Sequence, residues 1–383
     1  MSERRHSFLE FFCGGGFARA GLGSRWDCEL ANDIDAKKGR TYAENWGSDR
    51  LRVADINELG VNDMPRSRSD LAWASFPCQD LSLAGVQKGL GAESDNAQTR
   101  SGAFWPFLRL MDEMSAVVRA PRVIALENVY GALTSHQGDD FKTLITAFAQ
   151  RGYQIGALVI DARAFVPQSR PRVFVIATRM AIPDALKDDV PQRPWHVPAM
   201  IKTVGELPTI IRDKWVWWKL PTPVERTSTL LDLLEDDPKS VTWNTPAKTQ
   251  GLISMMTPIH LKKLEQAKKS GKREVGGLYR RTRVENGEKM QRVEIRFDDV
   301  AGCLRTPSGG SSRQTLMIVE GGQIRSRLIS ARETARLMGL PESYILPEIY
   351  NDAYHVTGDA VVVPVVRQIC EFIIEPLLEV KIP

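Results

Sequence analysis

Phe76-Pro77-Cys78-Gln79 is the stretch of this 383-residue sequence best placed for covalent chemistry. Proline ends the apolar run 71–76 and throws the next residue into a loop. A free thiol is only a few per cent thiolate at neutral pH, so a nucleophilic cysteine needs positive charge or a helix terminus nearby. Glu127-Asn128-Val129 follows another apolar run, 123–126. A glutamate there can donate a proton to a ring nitrogen if burial raises its pKa. Gln168-Ser169-Arg170-Pro171-Arg172 precedes a third run, 173–178. Arginines at alternate positions of an extended segment point the same way, and these two could clamp the glutamate and a ring carbonyl. Each stretch also has a plainer reading: a structural Pro-Cys pair, a helix cap at Glu127, a surface charge pair at the arginines.

A second group suits a nucleoside. Gly14-Gly15-Gly16 follows the apolar run 7–13. Glycine lets backbone approach a ligand closely, and a helix after it presents free N–H groups. The spacing is not Gly-x-Gly-x-x-Gly, which disfavours a dinucleotide. Asp33, at the end of the second run, could accept both hydroxyls of a ribose, and Asp55, ending the third, could bond an adenine amino group. Together they suit an adenosine without a pyrophosphate, although an acid at a strand end is also a common turn or helix cap. Cys13 to Arg19 reads Cys-x5-Arg, the phosphate loop of cysteine phosphatases, but no histidine precedes it and the cysteine falls inside a strand. It is expected to be buried and inert.

The elements that position these residues follow from hydropathy. Short apolar runs alternate with helical patterns through residue 178, which predicts an α/β fold: a doubly wound, mainly parallel sheet. Ligands bind outside the carboxyl ends of such strands, and Gly14, Asp33, Asp55, Pro77-Cys78 and Glu127 would line that edge. Near Met180 the pattern changes. Prolines cluster at 183, 191, 194, 198 and 208, and five of the nine tryptophans fall between 195 and 243. Residues 262–296 carry 12 Lys/Arg against 5 Glu on a chain of net charge +4. This is either a solvated helix and hairpin or a phosphate-binding surface. The expected organisation is a domain over 1–184, a smaller, partly β domain over 185–325, and a segment 326–383 that returns to the first. The tryptophans Trp215, Trp217 and Trp218 could stack on bases but are expected in the core of the smaller domain. Arg280, Arg281 and Arg283 could touch phosphates or guanine edges.

Composition narrows the class. Five scattered cysteines form no Cys-x-x-Cys pair and five histidines no His-x-x-x-His pair, which argues against a disulfide framework and a structural metal. Apolar content of 43%, no membrane-length apolar run and no signal core at the N-terminus give a cytoplasmic protein as the expectation.

The ordered set of motifs resembles the bacterial cytosine-C5 DNA methyltransferase family over residues 7–180 and 300–370. Pro-Cys-Gln, Glu-Asn-Val and Gln-x-Arg-x-Arg come in the family's order and at its approximate spacing. Thr99-Arg100-Ser101-Gly102 resembles the end of its mobile loop. Arg327-Leu328-Ile329-Ser330-Ala331-Arg332-Glu333 with Arg336-Leu337-Met338-Gly339-Leu340-Pro341 resembles its late helix motif, and Gly358-Asp359-Ala360-Val361-Val362-Val363-Pro364 its final cofactor motif. The resemblance implies a Rossmann-like, S-adenosylmethionine-dependent methyltransferase with a smaller target-recognition domain, acting on a cytosine flipped out of double-stranded DNA. In it Cys78 would add to C6, Glu127 would hold and protonate N3, Arg172 would contact the base carbonyl, and Arg170 would brace the site. The cofactor would be held by Phe12, Gly14, Gly16, Asp33, Ile34, Asp55, Ile56, Pro77, Asp359 and Ala360. DNA would meet Ser82 and the loop of Arg305, Ser308, Gly309 and Gly310, with 80–102 as a lid. The chain departs from the family pattern in running three glycines together, in Asp33 for glutamate, in Asp359 for asparagine, and in Cys303-Leu304 for Thr-Leu. A monomer associated with the bacterial nucleoid is expected, with a separate cognate restriction endonuclease as an optional partner. An RNA cytosine methyltransferase and a non-catalytic DNA-binding relative are the alternatives.

Overall fold

The computed structural model describes residues 5–77, 103–285, 287–305 and 313–379. Among the described residues seven strands form one sheet: β1 (His6–Phe11), β2 (Trp26–Asp33), β3 (Leu51–Val53), β4 (Leu71–Ala74), β5 (Val123–Val129), β6 (Gln154–Asp161) and β7 (Pro171–Thr178), in the order β3-β2-β1-β4-β5-β7-β6. β1, β4 and β5 are buried on almost every residue, as strands covered on both faces must be. Pairing is parallel from β3 to β5, and β7 runs antiparallel to both its neighbours. Strand order reverses between β1 and β4, the switch point at which such sheets bind ligands. The expected doubly wound, mainly parallel sheet is the observed one, with a single reversed strand.

Helices α1 (Phe17–Leu22), α2 (Ala36–Trp46), α3 (Phe104–Ala116) and α4 (Asp139–Gln150) alternate with these strands. Asp35 caps α2 by accepting the Lys37 N–H at 2.8 Å. Phe104, Phe107, Leu108 and Met111 of α3 are fully buried against Leu9, Ala72 and Leu126 of the sheet.

The chain divides into two compact units. The first holds the described residues up to Asp161, Pro171–Val224, and those from Ala360 onward. It includes α5 (Pro198–Gly205), α6 (Thr209–Arg212), the strand pair β8 (Lys187–Asp188) and β9 (Trp217–Trp218), and helix α11 (Val363–Ile369), which packs on α1. The tryptophans expected in a separate small core are here instead. Trp218 is fully buried and donates to the Ile176 carbonyl at 3.3 Å, and Trp215 packs edge-on against Phe141 of α4. Gly156 makes room: a Cβ there would stand 2.7 Å from Trp218 Cδ1.

The second unit comprises Ala162–Arg170 and Glu225–Asp359. Its strands β10 (Arg273–Glu285), β11 (Glu288–Arg296), β12 (Thr315–Glu320) and β13 (Gln323–Leu328) form an antiparallel sheet in the order β11-β10-β12-β13. Helices α7 (Pro246–Ser254) and α8 (Pro258–Lys269) pack on it through Leu252, Met256, Leu264, Val293 and Met317. The basic stretch is thus a helix and a hairpin. Helix α9 (Ala331–Leu337) opens with a capping box between Ser330 and Glu333. Glu333 is fully buried and takes a two-pronged bond from Arg327 at 2.6 and 2.7 Å. Helix α10 (Tyr350–Gly358) ends the unit. No helix among the described residues is long and apolar enough to cross a membrane.

Candidate active site

Parallel register brings the carboxyl ends of β1, β2, β3, β4 and β5 to one edge of the first sheet, and the antiparallel β7 begins there. β1 leaves the sheet through Phe12 and Gly14, both with positive φ (56° and 54°), and Gly16 (80°) starts α1. The Gly14 N–H donates to Asp33 Oδ2 at 2.8 Å, and Asp33 Oδ1 accepts the Asp35 N–H at 2.8 Å. Asp33 is buried, and burial raises its carboxyl above the ordinary range. The carboxylate therefore holds the glycine loop against the end of β2. Each of its oxygens keeps a second lone pair for a ligand hydroxyl. The space in front of Gly14 is open. Ile34, 65% exposed, follows the last residue of β2, and Val53, 47% exposed, ends β3. Phe12 and Asp55 are half-buried, and Ile56 is buried. Asp55 Oδ1 accepts the Asn57 N–H at 2.9 Å, so it caps a short 3-10 turn as well as facing the edge. An open glycine backbone, a carboxylate that can accept ribose hydroxyls, and exposed aliphatic side chains are groups suited to an adenosine bearing a sulfonium.

The acid–arginine pair is the other half of the edge. Arg172 Nε lies 3.1 Å from Glu127 Oε1, with Glu127 buried and Arg172 half-buried. Glu127 and Asn128 are not beyond the end of β5, as the hydropathy run suggested. β7 pairs with β5 as far as Val129↔Arg172 and carries the strand on by three residues. Residues 127 and 129 share a face, so Arg172, opposite Val129, reaches Glu127 on the diagonal. Asn128 adds a role that the sequence did not suggest. Its Nδ2 donates to the Phe76 carbonyl at 3.5 Å, and its Oδ1 accepts the Val129 N–H at 2.8 Å. The chain leaving β4 is thereby tied to the strand carrying Glu127, two residues before Cys78. Pro77 is exposed at that exit.

Apart from Ala360, which begins the last segment of the first unit, the remaining candidates fall in the second unit or outside the described residues. Arg170 is buried and donates to the Leu304 carbonyl at 3.0 Å, the Gly358 carbonyl at 2.8 Å and Cys303 Sγ at 3.4 Å. Gln168, fully buried, donates to the Leu337 carbonyl at 2.9 Å. This pair braces backbone within its own unit. Arg305 is exposed, as is Asp359 at the end of α10, and Ala360 is half-buried. Cys78, Ser82, Ser308, Gly309, Gly310 and the segment 80–102 lie outside the described residues.

One buried group carried no signal in the sequence. Glu10 of β1 is 1% exposed, accepts the Arg19 N–H at 3.3 Å, and is pushed by burial from 4.5 up to about 8. Arg19 in turn donates to Tyr42 Oη at 2.9 Å and lies 5.0 Å over the Trp46 ring, while Trp46 Nε1 donates to the Gly15 carbonyl at 3.0 Å. These four side chains underpin the glycine loop. Cys13 is buried and its thiol is raised by burial, as an inert cysteine should be.

The family model described as C-5 cytosine-specific DNA methylase matches residues 6–375. The Type II methyltransferase M.NlaX of Neisseria lactamica is 26% identical over 367 residues, covering 95% of this chain and 94% of the relative. The Type II methyltransferase M.Bsp6I of Bacillus sp. (strain RFL6) is 26% identical over 369 residues, covering 95% of each. The solved structure of the Entamoeba histolytica methyltransferase EhMeth shares the fold, with a TM-score of 0.61 at 14% identity over 98% of this chain and 99% of that one. A match that runs from the first strand to the last helix, over a sheet whose carboxyl edge holds an open glycine loop and a buried glutamate paired with an arginine, places the chain in the C-5 cytosine-specific DNA methylase family, the DNA cytosine methyltransferases.

Proposed function

We propose that the chain transfers a methyl group from S-adenosylmethionine to C5 of a cytosine flipped out of a specific duplex DNA sequence, through a covalent bond between Cys78 and C6. The observation that carries this reading is the ion pair of Arg172 with the buried Glu127, which stands on the strand tied by Asn128 to the exit of β4. Cytosine is a poor carbon nucleophile. Addition of a thiolate at C6 turns C5 into an enamine carbon, and Glu127, within reach of N3, steadies the ring as charge develops there. Arg172 orients Glu127 and would contact the base carbonyl. S-adenosylmethionine supplies the electrophilic methyl group when bound. Gly14, Gly16 and Asp33 would hold its ribose and methionine arm, with Phe12, Ile34, Asp55, Ile56 and Pro77 around them, and the family resemblance adds Asp359 and Ala360 to the cofactor residues. After the methyl group has moved to C5 and S-adenosylhomocysteine is left, a base takes the C5 proton, the C6–S bond breaks, and the thiolate is returned. The first unit is read as catalytic, the second as target recognition, and Ser82, Arg305, Ser308, Gly309 and Gly310 as DNA contacts. Likeness to Type II enzymes suits a modification role beside a restriction endonuclease.

Cys78→Ser tests the mechanism. Methyl transfer to duplex DNA is expected to stop while sequence-specific binding persists, and the wild-type enzyme is expected to form a stable adduct with DNA carrying 5-fluorocytosine at the target. Full activity in the serine variant would remove Cys78 as the nucleophile.

A further inference from the structure

Among the described residues β10 is bonded on both edges only as far as Leu278, opposite Thr315 of β12; from Tyr279 to Glu285 its described ladder is to β11. Seven residues at about 3.4 Å each carry this two-stranded ribbon roughly 20 Å past the third strand. Arg280 to Val284 and Lys289 to Gln291 are exposed on both of its faces. A bare hairpin is marginal in water, and this one leaves Val284 70% exposed. It also sets Arg281 directly across from Arg292, which gathers positive charge on one face of the ribbon. The register sorts the side chains. One face bears Arg281 and Arg283 opposite Arg292 and Met290, with Glu294 holding both β10 arginines: Arg283 Nε at 3.0 Å and Arg281 Nε at 3.8 Å. The other face bears Arg280, Thr282 and Val284, with Gln291 and Lys289 opposite the last two.

We propose that this ribbon enters the major groove of the substrate duplex, with the Arg280–Thr282–Gln291 face on the base edges and the Arg281–Arg292 face toward the phosphates. This rests on the reading of the chain as a duplex DNA methyltransferase. The major groove admits a two-stranded ribbon, and its floor offers the mixed donors, acceptors and thymine methyls that Gln, Arg, Thr and Val match. Phosphates ask only for cations, which is what the opposite face supplies. The two faces therefore divide specificity from affinity.

The test reads both. Plasmid DNA carrying a randomised insert is methylated by wild type, by Thr282→Ala/Gln291→Ala, by Arg280→Ala and by Arg281→Ala/Arg292→Ala, and the product is read by bisulfite sequencing. Duplex binding is then measured against salt with the sequence that wild type prefers. The first two variants are expected to accept substitutions at one or two positions of the site, with discrimination there falling roughly five- to a hundred-fold. The double arginine variant is expected to keep the sequence preference, bind every duplex more weakly, and lose about 2 from the salt slope. Unchanged preference in the first two variants, or an unchanged salt slope in the third, overturns the ribbon assignment while wild-type methylation leaves the enzyme reading standing. No methylation of duplex DNA by wild type overturns both. All side chains changed stand on the exposed ribbon, and circular dichroism of each variant confirms the fold.

Discussion

Glu10→Gln should stabilise the protein at pH 8 and leave it nearly unchanged at pH 5. The glutamate is 1% exposed; Oε1 accepts one backbone N–H at 3.3 Å, and Oε2 has no hydrogen-bond partner among the described residues. Burial moves its carboxyl from an ordinary 4.5 to about 8. In the unfolded chain the acid ionises as pH passes 4.5, whereas in the folded protein it keeps its proton until about pH 8. Across that window the native state binds one more proton than the unfolded state, so stability falls as pH rises. The contribution is fully present below pH 4.5 and is lost by about pH 8, at about 1.4 kcal/mol per pH unit. Glutamine has the same shape and does not titrate. The stability difference, variant minus wild type, should therefore grow by about 4 kcal/mol between pH 5 and pH 8 and level off above that. Urea unfolding in half-unit pH steps, followed by tryptophan fluorescence, measures it; eight of the nine tryptophans lie in the first unit and report its transition. A difference that stays flat from pH 5 to pH 8, or a variant less stable than wild type at pH 8, would refute the reasoning that the buried carboxyl is protonated in the native state.

Two further substitutions probe the edge itself. Arg172→Met removes the guanidinium 3.1 Å from the buried Glu127, which should lower stability in urea unfolding by about 1–3 kcal/mol; adding Glu127→Gln should recover part of that loss, and a double variant no more stable than Arg172→Met would show that the pair is not the source. Gly16→Ala places a Cβ 2.6 Å from Trp46 Cδ1 and 2.9 Å from Tyr42 Cε2 at a residue with φ of 80°, so it should both lower stability by more than 1 kcal/mol and weaken S-adenosylmethionine binding in calorimetry, and unaltered affinity would separate this loop from the cofactor site.

The glycine loop, the acids ending β2 and β3, and the doubly wound sheet were legible because each is a local pattern: short apolar runs, a glycine cluster after one of them, and carboxylates where runs stop. The family was legible because its motifs keep their order along the chain. The plain charge pair at Arg170 and Arg172 was not resolvable in that way. Alternation predicts that two arginines two apart point alike, yet the strand begins between them. Arg172 joins Glu127, while Arg170 is committed to the carbonyls of Leu304 and Gly358. Composition also grouped the proline- and tryptophan-rich residues 185–224 with the basic stretch, because both depart from the alternating pattern. Trp215 and Trp218 instead fill surface left on the first sheet.

By itself the sequence determined which side chains can do chemistry here, and the strand-and-helix rhythm that sends most of them to one edge, since side-chain type and hydrophobic period need no partner to be read. Only the tertiary structure decided the length of β5, the company of Glu127, the buried state of Glu10, and the bare ribbon beyond Leu278. Each of those depends on which distant segment lies alongside: β7 against β5, α1 and α2 around β1, and the end of β12 short of the hairpin. Pairing and burial are properties of contacts between residues far apart in the chain, and no local window contains both sides of such a contact.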